Sequence, residues 1–159
     1  DDPYFDYEAV KESLDILKKK KLEVVKPSYA SRFGGASEGY SFSRKGIIKL
    51  YKSLSLYKFN KELDSLDTEM IDEFLDNSKL VSTNYRGKRY QIKKDIRLTI
   101  DYKEDFKLIR VLYKKFGSFA KREEINKFLR KNKKIMKINY FRNSNWSLKQ
   151  KSFGLPQIK

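Results

Sequence analysis

Histidine and cysteine are both absent from this chain of 159 residues, and their absence limits the chemistry it can do. Without histidine there is neither the commonest general base near neutral pH nor the commonest transition-metal ligand. Without cysteine there is no disulfide framework and no thiolate. Carboxylates, cations, hydroxyls and a hard metal ion remain. Two carboxylate positions then matter. Asp101 follows the run Arg97-Leu98-Thr99-Ile100, where a strand is expected to give way to a helix, and open α/β sheets bind ligands at that edge. A carboxylate there can hold Mg2+, which takes one or two carboxylates together with substrate oxygens. It can also serve as a helix N-cap worth about 1 kcal/mol, and the two roles are compatible. Asp1-Asp2-Pro3 is the second position: a carboxylate pair, or a frayed acidic end.

These residues need elements to position them. Residues 7–19 read as a helix, with Ala9, Val10, Leu14, Ile16 and Leu17 apolar and Asp6 as its N-cap. Residues 22–25 form a short apolar run closed by Pro27, strand rather than helix. The loop at residues 31–37 carries Gly34 and Gly35, which permit a positive φ or a close backbone approach. Residues 39–43 read as extended, and a helix opens at Ser43 or Arg44. An amphipathic helix is expected over 66–75, and strands over 80–85 and 96–100, with Arg86-Gly87-Lys88 as a basic turn between them. Asp101-Tyr102-Lys103-Glu104 has a capping-box pattern. Phe106, Ile109, Leu112, Tyr113 and Phe116 then recur at helical spacing, with Gly117 as the stop. A further helix spans 121–131, and Ile135, Met136 and Ile138 form a short apolar segment before a polar, basic tail anchored by Trp146. Strands alternating with helices predict an α/β layered domain.

Charge is uneven along the chain. Residues 1–80 hold 14 Lys+Arg against 15 Asp+Glu, and residues 81–159 hold 23 against 6, giving +16 overall. A basic half can attract a polyanion. Lys outnumbers Arg 28 to 9, which also fits AT-rich codon use, and lysine is the weaker fork for phosphate. No stretch approaches the roughly eighteen apolar residues of a membrane span, and Asp1-Asp2-Pro3 leads into no signal-peptide core.

The order of the pieces resembles the cytidylyltransferase family of the acylneuraminate and spore-coat polysaccharide type. That family carries Gly-Asp-x-Pro-Leu-Ile-Asp in mid-sequence, and Asp1-Asp2-Pro3-Tyr4-Phe5-Asp6 is similar to it from the first Asp onward. Its later Arg-Leu-Thr-Val-Asp-Thr-Pro-Glu-Asp-Phe is similar to Arg97-Leu98-Thr99-Ile100-Asp101-Tyr102-Lys103-Glu104-Asp105-Phe106. Asp67-Thr68-Glu69-Met70-Ile71 stands where the family often has Asp-Arg-Glu-His-Val, residues 35–43 are similar to its Gly-x-Asp-x-Glu-Val-Phe-Ser segment, and Ile138-Asn139 matches a closing hydrophobic-Asn pair.

The resemblance implies the C-terminal part of a nucleotidyltransferase-like α/β domain over residues 1–140, followed by a basic tail over 141–159. The implied fold is a mixed, mostly parallel sheet with helices on both faces. The implied reaction joins CTP and a sugar into a CMP-sugar with release of pyrophosphate, for surface polysaccharide biosynthesis in the cytoplasm. Mg2+ would lie between Asp1 and Asp101, and Glu69 and Arg97 would contact substrate. No residue is implied as a covalent catalyst, and a homodimer is left open. The family's first strand and its Gly/Arg/Lys nucleotide loop precede the Asp-x-Pro motif, so the expectation is that the 159-residue chain alone does not turn over CTP. The rival expectation is a nucleic-acid or polyanion-binding domain within 81–159, with Tyr85, Tyr90, Tyr140, Phe141 and Trp146 among the cations. It lacks an aromatic RNP strand or zinc finger.

Overall fold

A computed structural model describes residues 2–28, 31–35, 38–53, 57–58, 71–87, 96–151 and 157–158. Helix α1 (Tyr7–Lys19) begins where Asp6 accepts the Ala9 N–H at 3.1 Å, the N-cap expected from sequence. Its buried positions are Ala9, Ser13 and Leu17, four residues apart as one helix face requires. Leu14, expected on that face, is 39% exposed. The chain reverses through Lys21, at φ 50°, into strand β1 (Val24–Lys26).

β1 is the centre of a small mixed sheet. It pairs antiparallel with β2 (Ser41–Phe42) and parallel with β4 (Ser82–Asn84), in the order β2-β1-β4. The domain is therefore mixed α/β, and among the described residues this sheet has one parallel and one antiparallel pairing, where a mostly parallel sheet was expected. The strands are only two or three residues long, so few ladder bonds form and side chains must hold the layers together. Ala9 and Leu17 of α1 pack on Val25 and Tyr85, and Ser13 Oγ donates to Ser41 Oγ at 2.8 Å. Helix α2 (Arg44–Ser53) lies against α3 (Ile71–Asn77), which buries Phe74 and Leu75. Residues 66–70 of the helix expected over 66–75 lie outside the described residues, as does Lys88 of the expected basic turn. Strand β3 (Tyr57–Lys58) pairs antiparallel with β5 (Gln157–Ile158).

The second core is helical. Leu108, Ile109 and Leu112 of α4 (Lys103–Phe116) meet Ile125 and Leu129 of α5 (Arg122–Lys131), Met136 of α6 (Lys133–Met136), and Tyr4, Ile96 and Leu98. Phe116 and Phe128 add an edge-to-face pair at 5.4 Å. Gly117 ends α4 at φ 71° and returns its N–H to Tyr113 O at 2.8 Å, as its position predicts. Cutting the fully enclosed Leu112 to alanine removes about 2–5 kcal/mol. The apolar segment expected at 135–138 contributes instead to the short helix α6. The expected tail contains helix α7 (Arg142–Lys151).

Residues 96–100, expected as a strand, join no ladder among the described residues. They remain extended because alternate residues have opposite destinations. Ile96 and Leu98 enter the helical core while Arg97 turns into a polar pocket. The Leu98 N–H donates to Gly34 O at 2.8 Å, so the π-helical turn Ser31–Gly35, where the sequence suggested a loop, takes the place of a neighbouring strand.

Candidate functional site

Arg97 is the hub of that pocket. Its side chain is fully covered, and its guanidinium forks onto Asp105 of the first turn of α4, Nε to Oδ1 at 2.9 Å and Nη2 to Oδ2 at 3.1 Å. A buried pair of this kind survives only when most of its remaining hydrogen-bonding capacity is met. All three guanidinium nitrogens and both carboxylate oxygens are engaged. Asp105 Oδ2 also accepts the N–H groups of Asp101 and Tyr102, each at 3.0 Å, and Oδ1 accepts Asn139 Nδ2 at 2.8 Å. Asn139 Nδ2 donates in addition to Arg97 O at 3.0 Å, and Arg97 Nη1 donates to Asn143 Oδ1 at 3.2 Å.

The same carboxylate settles the start of α4. The N-cap position is Tyr102, and Asp105, three residues into the helix, satisfies the backbone donors ahead of it. The capping role expected of Asp101 is thus filled by Asp105. Asp101 is free to face outward. Its side chain is 38% exposed, and only its Oδ2 is engaged, by Arg97 Nη2 and by Thr99 Oγ1 at 3.3 Å. No donor among the described residues reaches Oδ1. One oxygen is held by a buried arginine while the other meets solvent, which is how an outer partner orients a metal-binding carboxylate.

Two glycines bring the loop of residues 31–35 onto this hub. Gly34 has φ 75°, and a Cβ placed there would lie 2.9 Å from Arg97 Nη1 and 3.0 Å from Asn143 Oδ1, so only glycine allows the approach. The next carbonyl, Gly35 O, accepts from Arg122 Nη2, and the same guanidinium donates from Nη1 to Tyr4 O at 2.9 Å. Tyr4 in turn donates its hydroxyl to Gly117 O at 3.0 Å. Two buried arginines therefore tie the first residues, the glycine loop and the Asp101 edge into one assembly.

An aromatic layer covers the outer side. The Tyr102 ring lies between Arg97, 5.4 Å from its centroid, and Arg142, at 4.8 Å. Arg142 Nε donates to Glu104 at 3.0 Å, which lowers the carboxyl pKa and raises that of the guanidinium. The boundary expected at 140/141 falls inside this network, because Arg142 and Asn143 both belong to it.

Of the residues expected to act, Asp101 lies at the edge of the site and Arg97 at its centre. Arg97, implied as a substrate contact, has its guanidinium enclosed by protein and directed at Asp105, Asp101 and Asn143. Its position suits holding Asp101. Asp1 and Glu69 lie outside the described residues. Glu38 is buried and accepts the Ser28 N–H at Oε1. Sequence reasoning did not single out Asp105, Asn143 or Arg122. An acid at the third helical position marks Asp105 as a capping partner. Asn143 and Arg122 carried no local signal.

For a cation, the described residues contain no cluster of three or more acidic ligands. The free Oδ1 of Asp101 fits Mg2+, which keeps much of its water and takes phosphate oxygens. It does not fit a metal that requires a closed protein cage. Comparison with protein-family models, with curated proteins and with solved structures finds no match to this chain.

Proposed function

We propose that the chain carries the metal-gripping portion of a nucleotidyltransferase-like α/β domain, belonging to a sugar cytidylyltransferase that makes a CMP-sugar from CTP for surface polysaccharide biosynthesis. One observation supports the reading above the others. Arg97, Asp101, Asp105 and Asn139, positions at which the chain is similar to that family's later motifs, meet in one hydrogen-bonded network, the first three at four-residue intervals and Asn139 34 residues further on. A chance likeness gives no reason for Asn139 to reach the Arg97–Asp105 pair.

In this reading Asp101, with Asp1 as its partner, holds Mg2+. When bound, the ion neutralises charge on the reacting phosphates of CTP. Arg97 fixes the Asp101 carboxylate through one oxygen and leaves the other to the cation. Asp105 and Asn139 hold Arg97 in place. The exposed side of Asp101 opens to solvent, as a nucleotide phosphate requires, whereas the buried side excludes water from the Arg97–Asp105 fork. Glu69 remains the implied contact to the sugar.

The test is pyrophosphate release from CTP by the full-length gene product, with Mg2+ and a panel of sugar acids and sugars. We expect turnover that falls about a hundredfold in Asp101→Asn and about tenfold in Arg97→Lys, where the fork is lost but the charge stays. Equal turnover by wild type and Asp101→Asn ends the proposal.

A further inference from the structure

Helix α4 turns its apolar side to the core, and its outer side has an order of its own. Lys103, Phe106, Lys107, Arg110, Tyr113 and Lys114 are all exposed. They recur at i, i+3, i+4, i+7, i+10 and i+11, one continuous stripe of an α-helix about 16 Å long. Phe106 is 53% exposed and Tyr113 59%. None of the four cations has an ion pair among the described residues. The two acids of the same helix are withdrawn from the stripe, since Asp105 is buried on Arg97 and Glu104 is held by Arg142. Just beyond the helix, Phe119 is 97% exposed between Gly117 and Lys121.

The outer side of α4 thus carries unpaired positive charge and large apolar rings without any negative charge. A chain of net charge +16 gains nothing in stability by lining up four like charges, and exposed rings cost solvation. Both features are explained by an anionic, partly apolar partner.

We propose that the outer face of α4 is a docking surface for an anionic lipid bilayer. The stripe runs along one side of a single helix, a form that meets a plane along its length, whereas a single nucleic-acid strand is held in a groove. Three of its four cations are lysines, point charges that suit headgroups and lack the fork used for phosphate recognition. Tyr113 has the amphipathic form of side chains that settle at headgroup depth, and Phe106 supplies an apolar ring for the acyl boundary. No described helix is long and apolar enough to cross a membrane, so the attachment is peripheral. The inference stands apart from the cytidylyltransferase reading and uses none of its residues.

The experiment is co-sedimentation of the 159-residue chain with vesicles of phosphatidylcholine containing about one third phosphatidylserine, against pure phosphatidylcholine. Each Lys or Arg near an anionic surface multiplies partitioning by roughly fivefold. Lys107→Ala with Arg110→Ala is therefore expected to weaken binding about thirtyfold. Phe106→Ser with Tyr113→Ser should weaken it while leaving its salt dependence in place. Lys18→Ala with Lys19→Ala, an equal loss of charge on the exposed end of α1, should change partitioning less than threefold. Circular dichroism checks that each variant keeps its helices. Binding to neutral vesicles as strong as to anionic ones, or no binding to either, overturns the proposal. So does an equal loss in the α1 variant, which reduces the effect to net charge. Displacement of the vesicles by a lower concentration of a single-stranded oligonucleotide overturns it in favour of nucleic acid.

Discussion

Asp105 and Glu23 are both buried carboxylates, one in each core, and they are held in different ways. Asp105 is enclosed together with its arginine, and both its oxygens are filled by rigid donors from the backbone, from Asn139 and from the Arg97 fork. Glu23 receives one fixed bond, the Val81 N–H at 2.9 Å, one flexible bond from Lys49 at 2.9 Å, and an ion pair with Lys45 at 3.3 Å, the two lysine side chains being 44% and 78% exposed. The first arrangement fixes geometry, because every partner is itself immobilised. The second draws α2 to the sheet and leaves its cations in solvent. Asp101 depends on the first kind, and the proposed grip on a cation needs that rigidity.

The comparison can be broken at several points. The largest expected effect is Asp105→Ala, which leaves the buried Arg97 with Asp101 as its one carboxylate partner among the described residues, strips the Asp101 and Tyr102 N–H groups and Asn139 of their acceptor, and costs about 4 kcal/mol in urea unfolding. If that variant unfolds at the wild-type midpoint, the fork is not the keystone described above. Next comes Gly46→Ala on α2. A Cβ there would lie 2.1 Å from Glu23 O, so backbone must move, at about 3 kcal/mol. The Glu23 side chain itself should matter through pH. Its carboxyl is lowered to about 2 by the Val81 N–H first and by Lys49 next. A depressed folded-state value gives stability that is complete above the unfolded value near 4.5 and is lost as the pH falls toward 2. Glu23→Gln should therefore have a shallower loss of stability across pH 4.5 to 2 than wild type. Parallel acid limbs would contradict the assignment. Smallest is Lys45→Ala, expected within about 0.5 kcal/mol of wild type, since its charge is largely in water.

Much of the fold was legible where periodicity and caps act locally. Helices α1, α4 and α5, the Asp6 cap and the Gly117 stop all follow from spacing and chemistry within a few residues. The strand expected at 96–100 failed because alternation there reports burial on two sides, and an extended segment against a loop satisfies that pattern as well as a ladder does. For the site, Asp101 was legible from its place before a helix. Its supports were not. Asp105 reads locally as a helix acid, and Asn139, Asn143 and Arg122 acquire their roles only when α4, α5, α7 and the glycine loop converge. Tyr85, one of the aromatics considered for stacking, is instead buried with its hydroxyl on Glu12, and burial with that carboxylate raises its pKa.

The account rests on Asp101 presenting one free carboxylate oxygen to a divalent cation. Mn2+ added in small steps to the 15N-labelled chain reads this directly, since a bound paramagnetic ion broadens the amide signals nearest to it. The amides of Thr99, Ile100, Asp101 and Tyr102 should broaden first, recover when Mg2+ is added in excess, and stay sharp in Asp101→Asn. Broadening that begins elsewhere, or that is unchanged in the Asp101→Asn variant, contradicts the account.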